Sequence, residues 1–117
     1  MEAFLTTNLA SMESWVSSGG RLIINSAPNE GDGMNFGFGS VSLNYPDFGG
    51  DPHTAVDALH PIFNGPFGAT GDTFTGNSFS HATVSGAGLN DLILNNNGDS
   101  VLSDMFWGGG YVMFGGM

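Results

Sequence analysis

The opening stretch of the chain limits its fold more than any other part. Leu5, Leu9, Met12 and Val16 recur at spacings of four, three and four, and a Gly-Gly pair and an uninterrupted apolar run follow at once. That period sets the four side chains on one stripe of an α-helix. Thr6 or Thr7 is placed to cap its start, Gly19-Gly20 to end it, and Trp15 falls at the margin of the stripe. Arg21-Leu22-Ile23-Ile24-Asn25 is short, apolar and bounded by turn formers, the pattern of a strand covered on both faces inside a parallel sheet. Helix, glycine turn and buried strand form half of a βαβ unit. An α/β fold is therefore expected, with Leu22, Ile23 and Ile24 sandwiched in mid-sheet under the helix.

Periodic patterning disappears from Ser26 to Gly39, which reads as a long loop. Val41, Leu43 and Tyr45 then alternate with polar neighbours, as in a strand with one wet face. Asp51-Pro52 resembles an N-cap with proline at the first helical position, and Ala55, Val56 and Leu59 give a small apolar face, predicting a two-turn helix that stops before Pro61. Short strands are expected near Thr73-Phe74 and His81–Val84. Leu89–Leu94 suits a helical turn or a strand, and Asn95–Asp99 is a turn by composition. Val101–Trp107 and Tyr111–Phe114, joined by Gly108-Gly109-Gly110, predict a closing β-hairpin. At 117 residues the chain holds one domain, spanning 1–117.

Charge narrows the partners. Eleven carboxylates face a single cationic side chain, Arg21, for a net charge of −10. Nucleic acid is excluded as a partner, since phosphate backbones are held by clustered Lys and Arg, and an anionic membrane surface would repel the chain. No segment approaches the ~20 apolar residues that span a bilayer, so membrane insertion is not expected. Met1–Leu9 lacks the basic and long apolar regions of a signal peptide. With no cysteine, disulfides, thiolate zinc sites and cysteine nucleophiles are ruled out together. Scarce lysine with abundant Asn, Gly, Ser and Thr points to an extracellular or cell-surface protein whose export signal lies outside this stretch.

The segments Trp15-Val16-x-x-Gly19-Gly20-Arg21-Leu22-Ile23-Ile24, His60-Pro61-Ile62-Phe63-Asn64-Gly65-Pro66, Val101-Leu102 and Trp107-Gly108-Gly109-Gly110-Tyr111-Val112-Met113-Phe114-Gly115-Gly116 resemble, in that order, the class I glutamine amidotransferase-like superfamily. They are most similar to the ThuA-like, flavodoxin-like domains of secreted bacterial proteins. The resemblance implies a mainly parallel flavodoxin-like sheet flanked by helices and closed by the C-terminal hairpin. It also implies strands before the first helix and chain beyond the last glycine pair, which makes this chain a piece of such a domain or a reduced version of it. The superfamily's cysteine nucleophile is absent, and Gly76-Asn77-Ser78-Phe79-Ser80 lacks the second glycine of a Gly-x-Ser-x-Gly elbow, so glutamine hydrolysis is not expected.

Three sets of residues carry candidate chemistry. His53, Asp57 and His60 would share one face of a continuous helix, where imidazole and carboxylate can ligate zinc, although Pro61 biases His60 away from helical geometry. His81 with Ser78 pairs a base and a hydroxyl, the elements of nucleophilic catalysis. Glu30, Asp32 and Asp99 lie in Asn- and Gly-rich loops that offer the oxygen ligands calcium prefers. Either ion would be the cofactor, a divalent cation. The leading functional expectation is a non-catalytic binding or assembly module of an extracellular bacterial protein, partnered by a second copy, by other domains of a parent protein or by a glycan. The alternatives are a metal-assisted hydrolase acting on carbohydrate and a self-assembling filament subunit.

Overall fold

A computed structural model describes residues 1–27, 32–47, 49–66, 71–76 and 78–117. Helix α1 runs Glu2–Ser17, with Leu5 and Val16 buried and Leu9 and Met12 packed against the same core. The helix starts before the two threonines: their hydroxyls donate to the carbonyls of Glu2 and Ala3, one turn back, instead of capping. It ends at Gly19, whose φ of +108° suits glycine alone.

Among the described residues nine strands follow: β1 (Arg21–Asn25), β2 (Met34–Gly37), β3 (Val41–Asn44), β4 (His53–Ala55), β5 (Thr73–Phe74), β6 (Thr83–Ser85), β7 (Asn90–Leu94), β8 (Ser100–Trp107) and β9 (Gly110–Gly115). They form a six-stranded sheet in the order β1-β9-β8-β7-β4-β5 and a three-stranded sheet in the order β2-β3-β6. Strand β1 runs parallel to β9, and the other pairings are antiparallel. Strands β8 and β9 join over Gly108-Gly109, with Gly108 at φ +59° as the first central residue of a type II′ turn requires. Gly110 lies under the end of α1, where a Cβ would run into the backbone carbonyls of Val16 and Gly20.

One face of the large sheet, bearing Ile24, Val112 and Phe114, packs against α1 and the small sheet. At the centre Phe114 stacks on Phe36 at 5.8 Å and meets Phe38 edge-on at 5.6 Å. Each such aromatic pair adds about 0.5–1.5 kcal/mol beyond burial. The opposite face carries a second cluster of Leu92, Ile93, Leu102 and Met113, plugged by Phe63 from the segment after β4.

This architecture overturns the expected fold class. Among the described residues there is one helix, at one face, and the sheets are mostly antiparallel, so the domain is mostly β and not a helix-flanked parallel flavodoxin-like sheet. The resemblance to ThuA-like and glutamine amidotransferase-like domains fails on the same ground. The sandwiched strand fails in a telling way. Strand β1 lies at the edge of its sheet, where Ile24 is buried and Leu22 partly so, but Ile23 is 69% exposed. The expected helix after Asp51-Pro52 is instead strand β4, paired with β5 and β7: a two-turn helix is marginal alone, and ladder pairing outweighs it. The expected loop at 26–39 contains β2.

Candidate functional site

The strand register aligns side chains in rows on the outer face of the large sheet. Arg21, Tyr111 and Phe106 form one row across β1, β9 and β8, and Ile23, Met113, Asp104 and Asn90 form the next, extended to β7. The segment after β4 folds over part of this face through tight turns. Leu59 N–H donates to Asp57 Oδ1, His60 N–H to the Asp57 carbonyl and Phe63 N–H to the His60 carbonyl. The result is a cleft of about 440 Å³ lined by Arg21, His60, Ile62, Phe106, Tyr111 and Met113, with Pro61 at its rim.

Beneath it sits Asp104, 4% exposed. Its Oδ2 accepts the Tyr111 hydroxyl and lies 3.4 Å from His60 Nε2, and its Oδ1 accepts from Asn90 Nδ2 at 3.1 Å. The Ile62 N–H points at His60 Nδ1, so the arrangement assigns the proton to Nε2, facing the carboxylate. The Tyr111 phenol is held protonated well above its ordinary range, first by burial, then by its hydrogen bond to Asp104 and the charge of that carboxylate; Arg21 opposes the shift. Phe106 stands edge-on to the Tyr111 ring at 5.7 Å yet remains 80% exposed. The cleft is thus an exposed aromatic ring beside a guanidinium, an imidazole and a phenol braced from below.

The expected metal set is dispersed. His53 is buried on β4, Asp57 is exposed, and His60 belongs to the cleft; among the described residues no group of three or more His, Asp or Glu is placed to hold a metal ion. Of the loop carboxylates, Glu30 lies outside the described residues. Asp32 is exposed beside Glu2 and Ser26, while Asp99 lines a different hollow with Asp91. Its turn is closed by Asn95 Oδ1, which accepts from the N–H groups of Asn97 and Asp99.

A serine hydroxyl does reach an imidazole in the pair Ser80 and His53, at 2.8 Å from Nε2, two residues that sequence spacing did not single out together. Ser78 is exposed in a turn, and the His81 backbone ties the start of β6 to Gly116 and Asp47. His53 Nδ1 lies 3.3 Å from Asp51 Oδ1 without the alignment of a hydrogen bond, and the ring packs on Phe79 at 4.7 Å. Hydroxyl, imidazole and carboxylate thus adjoin in the order of a hydrolytic triad. However, Ser80 is 4% and His53 2% exposed. Enclosed to this degree, the hydrogen-bonded pair pins β4 to the 78–80 turn.

The described residues therefore define a mostly-β domain of two sheets and one helix, with a cleft on the open face of the larger sheet. No protein-family model and no curated protein sequence matches the chain. The fold is similar to part of an exo-beta-1,4-mannosidase from Opitutaceae bacterium strain TAV5, with a TM-score of 0.52 at 15% identity. The match covers 94% of this chain and 18% of that one. At that identity the likeness speaks for the fold alone.

Proposed function

We propose that the chain is a non-catalytic binding module of an extracellular bacterial protein, holding a neutral saccharide in the cleft of Arg21, His60, Phe106 and Tyr111. The observation that carries this reading is Phe106, a large apolar side chain left 80% exposed beside hydrogen-bonding groups braced by a buried carboxylate. An exposed aromatic ring offers a face to the C–H bonds of a pyranose, while guanidinium and imidazole N–H groups donate to its hydroxyls. The ligand is neutral because a net charge of −10 repels polyanions. Glycoside hydrolysis by the usual route needs two carboxyl groups flanking the bond, and among the described residues none that lines this cleft is a carboxylate. The activity printed for the structural neighbour makes β-1,4-linked manno-oligosaccharides a convenient first probe.

The test is calorimetric titration with β-1,4-manno-, gluco- and xylo-oligosaccharides. Binding by at least one of them is expected, weakened about tenfold or more by Phe106→Ala, with the variant still folded and its melting temperature lowered by no more than a few degrees. Absence of binding across the panel, or equal binding by the variant, refutes the reading.

A further inference from the structure

Strand β1 closes the order of the six-stranded sheet, with β9 on one side and no strand on the other among the described residues. Two hydrogen bonds fix which of its backbone groups are left over. Tyr111 N–H donates to the Gly20 carbonyl and Ser26 N–H to the Gly115 carbonyl, so even-numbered residues turn their backbone groups towards β9. The N–H and C=O groups of Arg21, Ile23 and Asn25 consequently face the open side. Protein edges are commonly blunted by lysine, proline, a bulge or brevity. The opposite edge, β5, is two residues long, whereas β1 is five residues with unbroken register and none of those devices.

We infer that β1 pairs antiparallel with β1 of a second copy, about a twofold axis through Ile23. In that register Ile23 opposes Ile23 and Arg21 opposes Asn25, and every outward residue exchanges two bonds with its opposite, about six in all. The side chains agree with the backbone. Ile23, 69% exposed, meets its own copy on the outer face; Leu22 meets Ile24 on the inner face, beside the apolar groove of Met1, Phe4 and Met12. Charge permits the contact locally. The seam contains no carboxylate, and the twofold register sets Arg21, the one Lys or Arg side chain, opposite the neutral Asn25 of the other copy, so no like charges face each other directly across it, while the net charge of −10 on each copy opposes association at long range.

Joined this way, the sheets become one, with both clefts on the same face. Five strand spacings and a four-residue offset put the two Phe106 side chains roughly 25–28 Å apart. Two sites on one rigid face would engage a single long chain together. The pairing itself does not depend on what the clefts bind, because its test reads mass and exchange.

Sedimentation equilibrium should show a monomer–dimer equilibrium with a dissociation constant on the order of micromolar, since a five-residue seam is small beside interfaces of ~1,200–2,000 Å². Hydrogen exchange should show the amides of Arg21, Ile23 and Asn25 gaining protection with concentration, while those of Leu22 and Ile24 stay protected throughout. Ile23→Pro removes one outward N–H and should yield a monomer. Because the chain has no cysteine, Ile23→Cys gives an independent reading: opposed Cα atoms ~5.5 Å apart permit a disulfide, and mild oxidation should link the dimer. Phe106→Cys, equally exposed but distant from its counterpart, should not link. A monomer up to about millimolar concentration, a dimer without protection at the odd-numbered amides, or equal linking by both cysteine variants overturns the pairing.

Discussion

Replacing Tyr111 with phenylalanine removes one oxygen from the brace beneath the cleft and leaves the ring in place. The lost hydroxyl donates to Asp104 Oδ2, a buried carboxylate that keeps Asn90 on its other oxygen and His60 at 3.4 Å. A hydrogen bond to a charged group contributes about 1.5–3 kcal/mol; with Tyr111 only half-buried, water can replace part of it, so about 1.5–2 kcal/mol is expected. For a domain of this size that lowers the melting temperature by roughly 6–8 °C. Urea unfolding at neutral pH measures the loss, and repeating it in an Asp104→Asn background tests its cause, with a coupling of about 1 kcal/mol expected. The pH dependence has a definite sign. The folded phenol ionises above its ordinary value of 10.0, so stability is fully present below that pH. It falls as pH rises beyond, because the unfolded chain then loses a proton that the folded chain keeps. The decline should be smaller in Tyr111→Phe. Strictly additive losses in the double variant, or identical alkaline profiles for wild type and Tyr111→Phe, refute the brace.

Ser80→Ala should cost about 1–2 kcal/mol in urea unfolding, because it leaves the His53 imidazole buried without its hydroxyl partner, and a fluorophosphonate should not label Ser80 in the wild type. Labelling at Ser80 would show that the site opens to reagents and overturn its structural assignment. Gly110→Ala should cost more than about 3 kcal/mol or prevent folding, since the added methyl meets backbone carbonyls from both the end of α1 and Gly20. A melting temperature within a few degrees of wild type would show that helix and hairpin are not packed as described.

The candidate cleft is partly legible in the sequence. His60 and the arginine beginning β1 stand out by type, whereas Asp104 and Tyr111 lie hidden inside β-prone runs. A lone carboxylate among apolar residues at 101–107 was the signal for Asp104, because a buried charge has to be partnered. The alternation of Met34, Phe36 and Phe38 likewise marked β2, obscured by the glycines between and around them. His53, Asp57 and His60 share a face only if the backbone between them is helical, and strand pairing at β4 removed that condition.

Local patterning determined the opening helix, its glycine stop, the strand that follows and the closing hairpin, because each depends on near neighbours in sequence: periodicity, turn residues and backbone freedom. Tertiary structure alone decided which strand became an edge, which side of Ile23 met water and which imidazole met which carboxylate. An apolar run such as Leu22-Ile23-Ile24 has the same composition in mid-sheet or at the border. The difference lies in distant strands that compete for its hydrogen bonds, and sequence spacing does not encode the outcome of that competition.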